Sequence, residues 1–174
     1  QIKDIENLVN EFSNFARMPR PIFKKINIVG VVSRSIDFVK LLSKNQIKLI
    51  TKSNKIIING DEAQLNRVFI NLIKNSEEAF LEILDKNPNF KGKIDIEIVG
   101  NNDYIVVKIK DNGMGISDTK KAMTPYYTTK SKGTGLGLPI VSKIINDHSG
   151  EFLIRNNKNE DGINIEISFQ NINV

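Results

Sequence analysis

The sequence predicts an α+β fold, a two-layer α/β sandwich in which helices cover a mixed, mainly antiparallel sheet. Residues 93–110 show the clearest β-hairpin pattern, because isoleucine and valine alternate with polar residues on both arms. Residues 151–169 predict a second hairpin with a polar turn that ends at Gly162. Segments with apolar residues three and four apart precede and separate the two hairpins. Antiparallel hairpins beside amphipathic helices are typical of this fold class.

The composition indicates one globular domain, or one domain with a short appendage. The chain has 174 residues, of which 40% are hydrophobic and 26% are charged. It has no cysteine and one histidine, which excludes disulfides, cysteine-based metal sites, thiol nucleophiles and histidine-rich metal sites. Because no run of about 18 apolar residues and no signal-peptide pattern occurs, we expect a cytoplasmic segment.

The formal charge of +5 suits an anionic ligand, either a nucleotide or a nucleic acid. No tight cluster of arginine and lysine with interleaved aromatic residues occurs. We therefore expect a small anionic ligand and no nucleic acid.

The first segment predicts a helix with a heptad seam, formed by Ile2, Ile5, Val9, Phe12 and Ala16. Pro19 and Pro21 should end this helix, since proline lacks the backbone donor that a helix needs. The seam must be covered by another helix. It belongs either to an ordinary core helix or to a truncated coiled coil or bundle.

The middle of the chain predicts two further helices and two short strands. Asn27 is a candidate N-cap for a helix with the apolar face Ile28, Val31, Val32, Ile36, Val39 and Leu42. Residues 47–51 and 55–59 are rich in β-formers. Asp61 and Gln64 form a capping-box pattern that opens a long helix with the apolar residues Leu65, Val68, Phe69, Leu72, Ile73, Ala79, Phe80 and Ile83. Residues 117–134 predict mostly loop, and a last helix spans about 138–147.

Asn71 and Asn75 lie four residues apart on the long helix, so their amides share one face, which Arg67 and Glu78 extend. This polar stripe is either a solvated face or a ligand site. An asparagine side-chain oxygen suits Mg²⁺, which prefers oxygen ligands and usually bridges to phosphates.

Two glycine-containing segments are further candidates. Residues 111–115, Asp-Asn-Gly-Met-Gly, form either a turn that ends the strand or a site where the carboxylate accepts an exocyclic amine such as that of adenine. Residues 132–138, Lys-Gly-Thr-Gly-Leu-Gly-Leu, open the last helix, where bare amides favour phosphate. Their spacing fits neither the Rossmann fingerprint nor the Walker A loop.

Taken together, Asn-x-x-x-Asn, Asp-x-Gly-x-Gly and Gly-x-Gly-x-Gly in this order resemble the GHKL ATPase superfamily of sensor histidine kinases, gyrase B, Hsp90 and MutL. The histidine-kinase branch is the nearest match. Residues 71–75 resemble its N box, 111–115 its G1 box, 125–130 its F box and 133–137 its G2 box. The resemblance covers about residues 55–169 and implies the Bergerat fold. Residues 12–21 resemble the exit of the dimerisation helix in NtrY-like nitrogen-regulation kinases.

The resemblance implies a site for ATP and Mg²⁺ in a catalytic domain of residues 27–174, preceded by the end of a dimerisation helix and a linker in residues 1–26. Asn75 would bind Mg²⁺ and Asn71 would lie beside the triphosphate. Asp111 would accept the adenine amine, and Lys130 would reach the terminal phosphates from a lid of roughly residues 117–134. Asn71 and Lys130 would be the catalytic residues. The remaining nucleotide-binding residues would be Gly113, Gly115, Ile116, Gly133, Thr134, Gly135, Leu136, Gly137 and Leu138.

Three departures refine this expectation. Asn71 stands where the ATP-hydrolysing relatives carry glutamate, so hydrolysis should be slow, and Glu78 stands where many kinases carry a basic residue. The only histidine, His148, resembles a structural turn position at a helix C-terminus, which favours a charged ring. The phosphoacceptor histidine would therefore lie outside this segment.

The expected function is that of the ATP-binding catalytic domain of a two-component sensor histidine kinase. The γ-phosphoryl group would pass to a histidine in the dimerisation domain of the same protein and then to a response regulator. The whole protein would be a homodimeric, membrane-anchored bacterial sensor. The alternatives are a GHKL-type ATP hydrolase and a non-catalytic nucleotide-binding or dimerisation module.

Overall fold

The computed structural model describes residues 17–129, 133–158 and 161–171, together with Val9 and Ser13. Of the predicted heptad seam, only Val9 is among these residues, so the N-terminal helix and its role in dimerisation stay predictions. Lys130 also lies outside the described residues.

From residue 17 onward, the described chain forms seven strands and four helices. The order is β1 (Lys24–Asn27), α1 (Ile28–Lys40), β2 (Gln46–Thr51), β3 (Ile57–Gly60), α2 (Glu62–Leu84), β4 (Lys93–Gly100), β5 (Tyr104–Asp111), α3 (Thr119–Ala122), α4 (Gly137–Asp147), β6 (Glu151–Asn156) and β7 (Ile163–Gln170). Among the described helices, none combines the length and the apolar character that crossing a membrane requires.

The main sheet has five strands in the order β2-β4-β5-β7-β6. β2 runs parallel to β4, and the other neighbours are antiparallel. β1 and β3 pair in a separate antiparallel ribbon. The predicted hairpins are thus confirmed as β4–β5 and β6–β7, and the predicted mixed, mainly antiparallel sheet is confirmed as well.

The core lies between one face of this sheet and the helices α1, α2 and α4. Alternate strand residues point into it, and the most deeply buried are Ile94, Ile96, Ile98, Ile105, Val107, Ile109, Ile165 and Ile167. Each such side chain contributes about 1.5–3 kcal/mol of hydrophobic free energy. The same pattern places Lys93, Asp95, Glu97, Lys108 and Lys110 on the opposite face, whereas Asp111, at the end of β5, is buried on the core side.

One expectation for α1 is confirmed in part and another is wrong. Asn27 is the N-cap residue, as predicted, but its side chain makes no capping bond. Instead, its Oδ1 accepts the backbone N–H of Ile56 at 3.0 Å and its Nδ2 donates to the carbonyl of Asn54 at 2.9 Å, which joins α1 to the turn before β3. Leu42 is 85% exposed, because α1 ends at Lys40 and the apolar stripe ends with it.

Two elements go beyond the predicted ones. β1 lies in the segment that the sequence assigns to a linker, and its pairing with β3 ties this segment to the domain. α3 is a single turn within the predicted loop of residues 117–134.

Candidate functional site

A cavity of about 870 Å³ opens between α2, the loop after β5 and the loop that leads into α4. Its size suits a small-molecule ligand or a cofactor. Stretches far apart in the sequence line it, namely Arg67, Asn71, Lys74, Asn75, Glu78, Ala79 and Glu82, then Asp111 and residues 114–117, then Ala122 and residues 127–129, then residues 133–135, Gly137, Leu138 and Ile140, and finally Ile154, Asn156, Ile163 and Ile165.

Most of the predicted site residues line this cavity, namely Asn71, Asn75, Asp111, Gly115, Ile116, Gly133, Thr134, Gly135, Gly137 and Leu138. Gly113 and Leu136 are not among the lining residues. The amide of Gly113 supports Asp111, and Leu136 is fully buried in the core. Lys130 lies outside the part of the chain that the structure describes, so its position is not compared.

Helix α2 turns a polar face to the cavity and an apolar face to the core. Leu72 and Ile73 are fully buried, whereas Asn71 and Asn75 are half-buried at the cavity wall. This division follows from the 3.6-residue period, which places residues four apart on one face. The N-cap half of the predicted capping box is confirmed, because Asp61 accepts the backbone N–H of Gln64 at 3.0 Å. The reciprocal half is wrong, because the N–H of Asp61 donates to His148 Nε2 and not to the side chain of Gln64.

Asp111 is the last residue of β5 and is 4% exposed. Its Oδ1 accepts the backbone N–H of Gly113 at 3.0 Å and that of Ile163 at 3.1 Å. Its Oδ2 accepts the hydroxyl of Ser76 at 2.5 Å, within the range usual for a hydroxyl on a carboxylate. Three parts of the fold, namely α2, the loop after β5 and β7, therefore orient a buried carboxylate at the cavity.

Asn156 fixes the loop after β5 beside the cavity through two hydrogen bonds to its backbone. The Oδ1 of Asn156 accepts the N–H of Ile116 and its Nδ2 donates to the carbonyl of Ile116, both at 2.7 Å. Gly115 has φ +77°, and a Cβ there would lie 2.9 Å from the same Oδ1. Only glycine meets both requirements without strain. Sequence reasoning missed Asn156, since a polar residue at the end of a strand has no distinctive pattern.

The turn between β6 and β7 contacts the backbone of Asp111. The side chain of Asn157 donates to the backbone carbonyls of Asp111 and Asp161, each at 2.9 Å. Gly162 has φ +100°, and a Cβ there would lie 2.0 Å from the carbonyl oxygen of Asp111. The sequence predicts this turn but not its contact with the site.

The glycine-rich loop approaches the segment that the sequence matches to the F box. The N–H of Tyr126 donates to the carbonyl of Gly135 at 3.1 Å. Gly135 has φ +70°, and a Cβ there would lie 2.5 Å from the carbonyl carbon of Tyr126. The described parts of the lid (our name for residues 117–134) are thus joined to the start of α4.

Gly137 is the first residue of α4 and lies next to Asn75. A Cβ on Gly137 would be 3.8 Å from both amide atoms of the Asn75 side chain. Because the first amides of a helix have no partner within it, this N-terminus can bind an anion. The structure thus places an anion-binding element beside a candidate oxygen ligand for a metal.

The charges that line the cavity are mixed. Among the described lining residues, Arg67 and Lys74 are cationic, whereas Glu78, Glu82 and Asp111 are acidic. The described lining therefore presents both signs of charge to a ligand.

Asp118, at the start of the lid, caps α3. Its carboxylate accepts the backbone N–H groups of Lys120 and Lys121 at 3.1 and 3.0 Å. The backbone hydrogen bond from Lys121 is the largest effect and lowers the pKa of Asp118 below its ordinary value. Desolvation comes next and opposes it, while the charge of Lys121, the hydrogen bond from Lys120 and the charge of Lys120 lower the pKa further.

His148 lies away from the cavity and is 7% exposed. Its Nδ1 lies 2.8 Å from the carbonyl of Ile144, and its Nε2 lies 2.9 Å from the backbone N–H of Asp61. A carbonyl can only accept and a backbone N–H can only donate, so the ring is neutral with its proton on Nδ1. The expected charged ring is therefore wrong, whereas the expected structural position is supported.

A sequence profile of the histidine kinase-, DNA gyrase B- and HSP90-like ATPase family matches residues 60–171. That stretch is more than half of the chain and contains all of the predicted site residues. The chain belongs to this ATPase family. The GHKL fold and the ATP-binding character that the sequence predicts for the domain are thereby confirmed.

Relatives of this ATPase domain include sensor kinases. An NtrY-like sensor histidine kinase of Rickettsia prowazekii (strain Madrid E) is 38% identical over 169 residues, which are 95% of this chain and 27% of that protein. Sporulation kinase C of Bacillus subtilis (strain 168) is 36% identical over 160 residues, which are 88% of this chain and 36% of that protein. The ATPase domain thus spans about a quarter to a third of the length of these relatives.

A solved structure shares the architecture. The catalytic domain of histidine kinase ThkA, in a nucleotide-free form, is 26% identical and superposes with a TM-score of 0.71 over 86% of this chain and 98% of that chain. The ATPase domain therefore has the fold of a histidine kinase catalytic domain.

Proposed function

We propose that this ATPase domain is the catalytic domain of a two-component sensor histidine kinase. It binds ATP with Mg²⁺ and transfers the γ-phosphoryl group to a histidine outside this segment. The observation that carries the proposal is the meeting of Asn75, Asp111 and the N-terminus of α4 at one cavity in a member of this family.

The cavity offers a separate environment for each part of the nucleotide. The adenine base would lie against Asp111, whose carboxylate can only accept hydrogen bonds and so selects an amine. The phosphates would lie near Gly135 and Gly137, where helix amides and the helix dipole favour negative charge. Asn75 borders Gly137 and would hold Mg²⁺ through its side-chain oxygen.

The chemistry requires positioning and charge neutralisation more than acid–base catalysis. Asn71 lies one helical turn before Asn75 and cannot take up a proton at neutral pH, so the domain does not activate water for rapid hydrolysis. The γ-phosphoryl group instead passes to an imidazole nitrogen, and ADP leaves. We assign to Lys130 the contact that neutralises the terminal phosphates from the lid.

The phosphoacceptor must come from elsewhere, because His148 is unsuited to the role. It is the only histidine of the sequence, it is 7% exposed, and both of its ring nitrogens have hydrogen-bond partners. A nucleophilic nitrogen needs a free lone pair that faces the phosphate. The acceptor therefore belongs to the dimerisation domain of the same protein.

The wider assembly follows from this role. Residues 1–26 would be the end of the dimerisation helix and the linker, and the whole protein would be a homodimer. The phosphoryl group would pass from the acceptor histidine to a response regulator. The segment would be the cytoplasmic part of a membrane-anchored bacterial sensor.

Transfer of labelled phosphate tests the proposal. The domain is incubated with γ-labelled ATP, Mg²⁺ and a histidine-bearing dimerisation hairpin, and an Asp111→Asn domain serves as the control. We expect label on the hairpin that is stable in alkali and lost in acid, and no label with the variant. Rapid release of inorganic phosphate without the hairpin would indicate a hydrolase. ATP binding with no transfer under any condition would indicate a non-catalytic module.

A further inference from the structure

The hydrogen bonds of Asp111 leave its carboxylate with one open acceptor position. An ionised carboxylate has about four such positions, two on each oxygen. On Oδ1, both are taken by the backbone N–H groups of Gly113 and Ile163. On Oδ2, one is taken by the hydroxyl of Ser76. Because Asp111 lines the cavity, the remaining position on Oδ2 is the one available to a ligand.

Ser76 makes an unusual contact for a serine within a helix. Its side chain is 1% exposed, and its hydroxyl crosses from α2 to the carboxylate at the end of β5. A serine in a helix commonly bonds the carbonyl four residues earlier. The Oγ of Ser35 in α1 lies 2.9 Å from the carbonyl oxygen of Val31, and it also lies 2.7 Å from Oδ1 of Asn66. The hydroxyl of Ser76 is thus directed at Asp111 instead of its own helix.

We propose that Ser76 is a positioning residue that sets the base specificity of the nucleotide site. By holding Oδ2, its hydroxyl fixes the plane of the Asp111 carboxylate and leaves a single acceptor for an N–H group of the ligand. This inference rests on the proposed function and deepens it, since it assigns the preference for a 6-amino purine to a pair of residues, Ser76 and Asp111.

The expected base specificity has a physical reason. With Ser76 bound, Asp111 presents one acceptor in a fixed direction, whereas without Ser76 its carboxylate is held less firmly. A 6-amino group donates to the open position on Oδ2, whereas a 6-oxo group would bring two acceptors together and leave both unpaired. Without the hydroxyl, Oδ2 has two open positions in a buried site. The carboxylate can then turn or take up a water, so the amine loses its best geometry.

The test compares two ligands across three proteins by calorimetry. ATP is measured against purine riboside triphosphate, which lacks the 6-amino group, for the unchanged domain, Ser76→Ala and Ser76→Thr. We expect Ser76→Ala to bind ATP about tenfold more weakly and purine riboside triphosphate almost unchanged. Ser76→Thr keeps the hydroxyl and should restore the preference for ATP.

A matched control separates this role from a general effect on folding. Ser35→Ala removes another fully buried serine hydroxyl, one that contacts Val31 and Asn66 away from the cavity. It should lower the unfolding temperature and leave the ratio of the two affinities unchanged. If Ser76→Ala fails to fold, Ser76→Cys supplies a weaker donor of similar shape. The ratio of the affinity for ATP to that for purine riboside triphosphate should be reduced in this variant too.

Each outcome decides between the two proposals. Equal weakening of both ligands by Ser76→Ala, or no weakening of either, would overturn the role of Ser76 and leave the nucleotide site intact. An unchanged domain that binds ATP and purine riboside triphosphate equally would overturn the contact of Asp111 with the amine as well. An unchanged domain that binds neither would overturn the proposed function itself.

Discussion

The two ends of α4 lie in contrasting surroundings. At the N-terminus, Gly137 borders the cavity and the side chain of Asn75 at ordinary contact distance. At the C-terminus, His148 is buried, with Nδ1 donating to Ile144 and Nε2 accepting from Asp61. The ring of Phe23 packs edge-on against it, with 5.1 Å between ring centroids. The first end borders the cavity, whereas at the second end both ring nitrogens of His148 are paired within the fold.

This contrast shows what separates a binding site from a structural polar cluster. Both ends are made of glycine and polar residues in the sequence, Gly-Thr-Gly-Leu-Gly at one end and Asn-Asp-His-Ser-Gly at the other. The first end is distinguished by its position at the cavity, and the second by the pairing of both ring nitrogens of His148, which leaves that ring no capacity for a ligand. We therefore expect changes at the cavity end to affect binding, and changes at the His148 end to affect stability.

The largest effect should come from Asp111→Asn. An asparagine can keep the bonds from Gly113 and Ile163 through its oxygen, so the fold should persist. Its amide nitrogen replaces Oδ2 and would meet the adenine amine donor to donor. We expect ATP affinity to fall by at least about a hundredfold in calorimetry.

The control is Asp37→Asn, which removes an exposed acid of α1. It should leave ATP affinity unchanged. Affinity of Asp111→Asn equal to that of the unchanged domain would contradict the adenine contact.

The second effect concerns Asn75→Ala, which removes the candidate Mg²⁺ ligand next to Gly137. We expect ATP affinity in the presence of Mg²⁺ to fall at least about tenfold, since the loss of a group that holds a metal weakens metal binding by that order. Affinity in EDTA should change little. The measurement is therefore the ratio of the ATP affinity in Mg²⁺ to the ATP affinity in EDTA. If Asn75→Ala leaves this ratio unchanged, the metal is bound by other residues.

Local patterns predicted the parts of the fold that depend on neighbours in sequence. The period of α2 put Asn71 and Asn75 on one face, and the alternation of β4 and β5 placed Asp111 at a strand end. The glycines of residues 133–137 were predicted at a helix N-terminus, where α4 begins. These features follow from helix and strand geometry alone.

Contacts between distant segments could not be predicted in this way. The pairing of β1 with β3 joins residues 30 to 36 positions apart, and four residues are too few to show an alternation. Ser76 and Asn156 have ordinary positions in their own elements, and their partners become visible only in the folded chain. His148 received the wrong protonation state because the helix terminus was visible in the sequence and its partner Asp61 was not.

A third change, His148→Ala, tests the C-terminal end of α4. It leaves the backbone N–H of Asp61 and the carbonyl of Ile144 without their ring partners and removes the contact with Phe23. We expect the free energy of unfolding to fall by about 1–3 kcal/mol in urea titrations. ATP affinity of the folded variant should equal that of the unchanged domain. A loss of affinity comparable to that of Asp111→Asn would show that the two ends of α4 are coupled.

The smallest effect should be the pH dependence that Asp61 gives to stability. Burial alone would raise the pKa of Asp61, but hydrogen bonds from the backbone N–H groups of Ile22, Gln64 and Ala63 outweigh it and lower the pKa below 3.8. A carboxyl whose pKa is depressed by folding stabilises the fold above its unfolded pKa, and this stabilisation is lost as the pH falls through the folded value. Asp61→Asn keeps the N-cap bond from Gln64 but loses the charge and the bond from the N–H of Ile22, so it should destabilise the domain at neutral pH by about 1 kcal/mol. In urea titrations from about pH 6 to about pH 2, the difference in stability between the two proteins should narrow below the unfolded pKa. If the difference in the free energy of unfolding stays constant across this range, the charge of Asp61 contributes nothing to the stability of the domain.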